Sequence, residues 1–214
     1  MHDDLKESLK NLENNYNGKE FLSIVNKVKK DRINDDDVLT HIEKISRKRF
    51  KEKVSFTLGL FAGNLLETIA TIAAVVLALR VDADWMLYFG TLILMASLHP
   101  LSHYLAGRLS GIRFTHYYLN GPAVIEPTLR IDYFSYLKAS AGKRALMHAS
   151  GVIGTLAAPL VMALIALEKG ASGAAQNLFY FFLLLIVFEL LTSTKIGDLM
   201  RAKREYGYRS ITPE

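Results

Sequence analysis

Residues 97–107 read Ser-Leu-His-Pro-Leu-Ser-His-Tyr-Leu-Ala-Gly, with His99 and His103 set four apart in an otherwise apolar run. Four-residue spacing puts both imidazoles on one helix face. Ionisable groups in an apolar environment are costly unless they are paired, so the surroundings of this run decide how it is read.

Those surroundings are apolar over long distances. Four stretches, Val54 to Leu79, Trp85 to Gly107, Ala145 to Leu167 and Asn177 to Thr194, are almost free of charge. About 20 apolar residues suffice to cross a bilayer as a helix, a length the first three exceed and the fourth approaches. A chain of 214 residues has too little polar protein to bury four such helices, so they are expected to span a membrane. Residues 1–53 differ sharply, carrying 13 Lys/Arg and 11 Asp/Glu. With a cytoplasmic N-terminus, 24 of the 26 Lys/Arg fall on the cytoplasmic side, and only Arg80 and Lys169 face out. The positive-inside rule therefore predicts both termini in the cytoplasm. No signal peptide is expected, because the first 50 residues contain no uninterrupted apolar core.

The absence of cysteine excludes disulfides, thiolate metal sites and a cysteine nucleophile. The sequence pI near 9.3 does not point to nucleic acid. The basic excess is mostly juxtamembrane, as in KISRKRFKEK at 44–53, where anionic lipid headgroups are the expected partners. No nucleic-acid-binding motif accompanies it.

Leu5, Leu9, Leu12 and Tyr16 share one helical face, as do Ile24, Val25 and Val28, and again Val38, Ile42 and Ile45. With a break at Asn17-Gly18 and acids at 35–37, the spacing predicts a small cytoplasmic helical unit over 1–53, an appendage or docking module, followed by a membrane domain over 54–214. Between the second and third spans, residues rich in Tyr, Phe, Ile and Val flank Asn120-Gly121-Pro122. They predict a β-hairpin at the membrane surface that lines a cavity. The expected fold class is thus an all-α integral membrane protein of about four transmembrane helices, with this hairpin and the N-terminal unit added.

The ionisable residues of the spans are Glu67, His99, His103, His148, Glu189 and, at the end of the fourth span, Asp198. Counting 1.5 Å per residue from the flanking cations places His103 roughly 8 Å deep, His99 roughly 14 Å, His148 roughly 6 Å and Asp198 roughly 5 Å. Glu67 and Glu189 lie near 20 Å by the same measure. Two imidazoles on one face plus a carboxylate from another helix suit one Zn²⁺, with a fourth position open for water.

Here the sequence resembles the site-2 protease family of intramembrane zinc metalloproteases. Its first motif, His-Glu-x-x-His on a transmembrane helix, matches His99-Pro100-Leu101-Ser102-His103. Arg108 and Ser110-Gly111-Ile112-Arg113 match the Arg and Gly-containing turn that precede the family's hairpin. Lys195-Ile196-Gly197-Asp198-Leu199 matches the motif of the third ligand. The order of parts agrees over roughly residues 54–204. The resemblance implies zinc held by His99, His103 and Asp198, with transmembrane protein segments as substrates or partners, in a prokaryotic cell membrane.

Several positions depart from the family. Pro100 stands where the catalytic Glu belongs, Leu199 where Gly usually follows the Asp, and Val152 and Thr155 fall in a run that usually holds Pro and Asn. His148 has no counterpart in the family and is expected to serve as a fourth ligand or a neighbour of the site. Proline neither accepts nor donates a proton, and losing a general base typically costs about 10²- to 10⁴-fold. It also lacks an N–H for the carbonyl of Ala96, so a kink is expected. The first reading is therefore a metal-binding pseudoprotease that binds or regulates membrane proteins. A second is an active metallohydrolase in which Glu67 or Glu189, or Glu126 of the hairpin, replaces the base. A haem protein with His103 and His148 as axial ligands and a metal-free structural membrane protein are the remaining alternatives.

Overall fold

The computed structural model describes residues 3–120, 126–192 and 197–209. The expected Gly121-Pro122 turn, the end of the fourth stretch at Thr194, and Lys195-Ile196 lie outside the described residues. Helices α1 (Asp3–Asn14), α2 (Gly18–Lys30) and α3 (Asp36–Lys53) form the N-terminal unit. Asn17 caps α2 by accepting from the N–H groups of Lys19 and Glu20, and Asp35 caps α3 by accepting from Asp37 and Val38. These side chains satisfy amides that the first helical turn leaves without partners.

The chain then forms β1 (Leu58–Gly59), α4 (Leu60–Arg80), α5 (Asp84–Leu109), β2 (Phe114–Asn120), β3 (Glu126–Ile131), α6 (Tyr133–Lys138), α7 (Ala141–Glu168), α8 (Ser172–Thr192) and α9 (Asp198–Gly207). The expected hairpin is β2–β3, and β1 adds a third antiparallel strand in the order β1-β2-β3. Leu58 pairs with Tyr117, whose ring lies over Gly63. A Cβ at Gly63 would fall within that ring, so only glycine allows the sheet to sit this close to α4.

Four described helices, α4, α5, α7 and α8, are long and apolar enough to cross a membrane. The first begins at Leu60 rather than Val54, because residues ahead of it enter the sheet. The fourth begins at Ser172, earlier than its apolar run suggested. Gln176 and Asn177, polar enough to resemble loop, are accommodated in the helix by donating to the hydroxyls of Tyr180 and Tyr88.

Helix α7 is the most buried of the four and packs against both α5 and α8. Small side chains make the contacts close: Ala74, Ala78, Ala158, Ala166 and Ala174 interleave with Leu87, Leu94, Met162 and Leu178. Outward, the helices expose Leu65, Ile69, Ile72, Leu92, Ile153, Leu164, Leu184 and Phe188. Apolar exposure on this scale marks a surface meant for something other than water. The α4–α5 and α7–α8 connections lie together at one end, where Lys169 Nζ donates to the Ala78 and Val81 carbonyls and pairs with Asp82.

At the opposite end the N-terminal unit shares one continuous core with the sheet and α6. Leu9, Leu12, Val38, Leu39, Ile42 and Ile45 belong to the same buried cluster as Ile112, Phe114, Tyr117, Leu129, Tyr136 and Met147. The unit is docked rather than suspended. A buried ion cluster strengthens the join: Glu205 of α9, fully buried, accepts from Lys29 Nζ of α2 at 2.6 Å and from Arg144 Nε of α7 at 2.7 Å.

Candidate metal centre

His99 and His103 project from the middle of α5 toward α7. Helix α5 runs through Pro100 from Asp84 to Leu109, and the Pro100 ring forms part of the wall beside the two imidazoles. Glycines on α7 make room for the rings. A Cβ at Gly151 would collide with the His103 imidazole, and one at Gly154 would meet the Leu98 carbonyl and the Ser102 hydroxyl.

Asp198 is not at the end of the fourth span, as its sequence position suggested. Helix α8 is described as far as Thr192, and Asp198 opens helix α9 after the non-helical Gly197. The preceding Gly197 has φ 97°, a left-handed conformation that glycine adopts without steric cost and that turns the chain into α9 at the site. Buried Glu205, one end of the ion cluster, holds α9 from its far end.

Asp198 Oδ2 lies 3.0 Å from His103 Nε2 and 3.2 Å from His99 Nε2, and the two Nε2 atoms are 3.2 Å apart. The opposite ring nitrogens determine what these atoms carry. His103 Nδ1 is 2.6 Å from the Met147 carbonyl, which can only accept, so the ring's Nδ1 bears a proton. His99 Nδ1 is 2.9 Å from the Thr155 hydroxyl, whose own proton goes to the Gly151 carbonyl. The hydroxyl therefore accepts from His99 Nδ1–H. In the neutral rings both Nε2 lone pairs then face each other and a carboxylate oxygen. Three acceptors this close repel unless a cation or an added proton lies among them.

The spacing suits a cation. Ligand atoms about 2.0–2.1 Å from a tetrahedral zinc stand about 3.3–3.4 Å apart, only a few tenths of an ångström wider than found here. Fixing the metal-binding tautomer through an Nδ1–H bond to an oxygen is how ligating histidines are usually oriented. In the cation's absence a proton on one ring serves Asp198. Burial alone would raise the Asp198 carboxyl, but the His103 and His99 imidazoles beside it outweigh burial and hold the group below the usual carboxylate range.

His148 sits beside this triad rather than among its converging atoms. Its Nδ1 is 4.0 Å from Asp198 Oδ1, and its Nε2 is 2.9 Å from the Tyr136 hydroxyl. Burial raises the Tyr136 phenol and keeps it protonated, with Glu205 nearby adding to the effect. The rings of His103 and His148 are 6.5 Å apart, with the Asp198 carboxylate against both.

The three glutamates considered as bases are placed differently. Glu126 opens β3 and lines the same cavity, about 290 Å³, as His99, His103 and Asp198. Glu189 on α8 is half-buried and near enough for its charge to act on His99 and Asp198. Glu67 is buried on the face of α4 that holds Gly63, close to Tyr117, and is not part of the cavity wall.

Thr155, Tyr136 and the Met147 carbonyl were not anticipated as parts of the site. A signal existed for Thr155: with His148 and Gly151 it forms an i, i+3, i+7 face of α7. No protein-family model, no curated protein and no solved structure matches the chain.

Proposed function

We propose that the chain is an integral membrane metalloprotein of site-2-protease type, both termini cytoplasmic, that holds one divalent cation through His99, His103 and Asp198. Its peptidase activity is lost or strongly altered, and it acts by binding or regulating transmembrane segments of other proteins. The observation that carries the reading is the convergence of two Nε2 atoms and one carboxylate oxygen within 3.2 Å, with both Nδ1 protons already committed to oxygens. A donor set of two imidazoles and one carboxylate suits zinc.

When bound, the metal would supply Lewis acidity and fix an oxygen ligand for chemistry on a carbonyl. The chain's own residues contribute less than a working peptidase needs. Pro100 offers no group to take a proton at the position beside His99, and His148 and Tyr136 are engaged with each other. Thr155, Met147 and Gly151 orient the rings.

Metal analysis of the purified protein tests the reading. One equivalent of zinc, lost in His103→Ala and in Asp198→Asn, is expected. Protein purified without chelator that carries no metal and takes up none on dialysis against zinc would refute it. Topology is tested by labelling cysteines placed at Asp82 and Ser172, where reaction from the cytoplasmic side would overturn the assignment.

A hydrolase with a substitute base is the second reading, favoured by Glu126 sharing the cavity with the three ligands. Turnover of single-span substrates that is abolished in His99→Ala and in Glu126→Gln or Glu189→Gln would establish it.

A further inference from the structure

Beside the metal site lies a second cavity of about 530 Å³, bounded by α2, the hairpin and α9, which shares His148 and Arg201 with the first. Its wall contains four cationic side chains, Lys29, Arg130, Arg201 and Arg204, and among the described residues no carboxylate lines it. The acids that reach these cations from behind the wall are already engaged. Glu205 is taken by Lys29 and Arg144, Glu43 by Arg130 at 2.8 Å and by the Tyr133 amide, and Asp198 by the two imidazoles.

Among the described residues Arg201 and Arg204 make only long ionic contacts, at 3.5 Å to Asp198 and 3.8 Å to Glu205. Each is about half exposed, with 53% and 52% of its side chain accessible. Arg130 is deeply buried over the Phe50 ring, and among the described residues its Nε has no hydrogen-bond partner. Counting Lys29, Arg130, Arg144, Arg201 and Arg204 against Glu43, Glu205 and Asp198 leaves two positive charges in excess around one concave space. A cleft walled by one sign of charge concentrates the opposite ion.

We propose that this cavity binds a phosphate monoester, with the guanidinium groups of Arg201 and Arg204 as its principal ligands. Three residues apart, the two arginines share one face of α9 and offer planar forks to one ligand. A phosphate monoester brings up to two negative charges, which matches the charge excess, and three acceptor oxygens for the arginine forks. A carboxylate would satisfy one fork and half the charge. The phosphate is either free in the aqueous phase or the headgroup of an anionic lipid. None of its donors is a residue of the triad, and only Arg201 touches it, at 3.5 Å from Asp198.

The test uses the full chain in detergent after treatment with EDTA, so that no metal contributes. Inorganic phosphate is titrated calorimetrically. Short-chain phosphatidic acid is titrated by thermal shift against short-chain phosphatidylcholine. Saturable binding of either probe is expected, at least tenfold weaker in the Arg201→Gln/Arg204→Gln variant and unchanged in Arg80→Gln, which lies at the other end of the molecule. Both substituted arginines are half exposed, so the fold should persist, and unchanged circular dichroism confirms it. Binding of inorganic phosphate identifies a soluble ligand, and binding of phosphatidic acid alone identifies a lipid headgroup. The proposal is overturned if neither probe saturates, if phosphatidylcholine performs as well as phosphatidic acid, or if the double variant binds as the parent does.

Discussion

Replacing Glu205 by Gln tests whether charge, rather than packing, joins the N-terminal unit to α9. In the parent, Lys29 and Arg144 flank one carboxylate, for a local sum of +1 with Arg204 half in solvent. The side chains of Glu205, Lys29 and Arg144 are 0%, 5% and 5% exposed, so water screens the cluster weakly. Glu205→Gln raises the sum to +2 with no counter-charge, and removing one partner of a buried pair costs about 3–5 kcal/mol. Lys29→Met lowers the sum to zero, leaves the Glu205–Arg144 pair intact and replaces the lysine stem with a side chain of similar volume, so it should cost about 1–2 kcal/mol.

Unfolding of four apolar helices is not a two-state reaction, so local opening is the quantity to measure. Amide hydrogen exchange in α2 and α9 should accelerate by about two to three and a half orders of magnitude in Glu205→Gln and by about tenfold in Lys29→Met. Equal effects of the two variants, or less than a tenfold change in Glu205→Gln, would refute the argument. The pH dependence follows the same charge. Burial opposes ionisation of Glu205, but Lys29 and Arg144 outweigh it and hold the carboxyl below its ordinary 4.5. A depressed acid contributes stability that is complete above the unfolded value and lost as pH falls through the folded one. Protection in α9 should therefore be flat from neutrality down to pH 4.5 and fall only below it.

Thr155→Val removes the acceptor for His99 Nδ1–H and should weaken zinc binding about 10- to 100-fold, measured by competition with a chromophoric chelator. An affinity unchanged within a factor of two would show that the tautomer is not set there. Gly151→Ala puts a methyl group against the His103 ring and should abolish stoichiometric zinc while leaving the helix content measured by circular dichroism intact. Pro100→Glu should retain zinc but raise turnover of single-span substrates far less than a restored motif would suggest, because a carboxylate misplaced by about 1 Å can lose about 10²-fold. Turnover that reappears with a kcat near 1 s⁻¹, about the low end for working enzymes, would show that the cavity is still shaped for the reaction.

The four long helices were legible because hydrocarbon thickness imposes a length that composition reveals residue by residue. His99, His103 and Asp198 were legible because burying an ionisable group carries a cost that singles it out. What escaped was set by distant partners. Leu58-Gly59 has too few residues to show a strand period, and it becomes a strand only because β2 offers it an edge. Asp198 was read as the tail of a span, since nothing in the local pattern separates α8 from α9; Gly197 was the one local sign of a turn. The N-terminal helices were recognised from their apolar faces, but not what those faces meet, because Phe114, Tyr136 and Met147 are about a hundred residues away along the chain.

The pairing of Lys29 with Glu205 spans 176 residues, and this has a consequence for how the molecule is made. Helix α2 leaves the ribosome long before its partner on α9. Contacts of such sequence separation form slowly, since the chain between them must first be brought together. Here that chain includes all four long apolar helices. The buried ion cluster can close only after the last of them is in place, so Lys29 lacks its partner until α9 has been made. The proposed metal centre needs Asp198 on the same helix, so a nascent chain stalled before residue 198 lacks the carboxylate that completes the cluster.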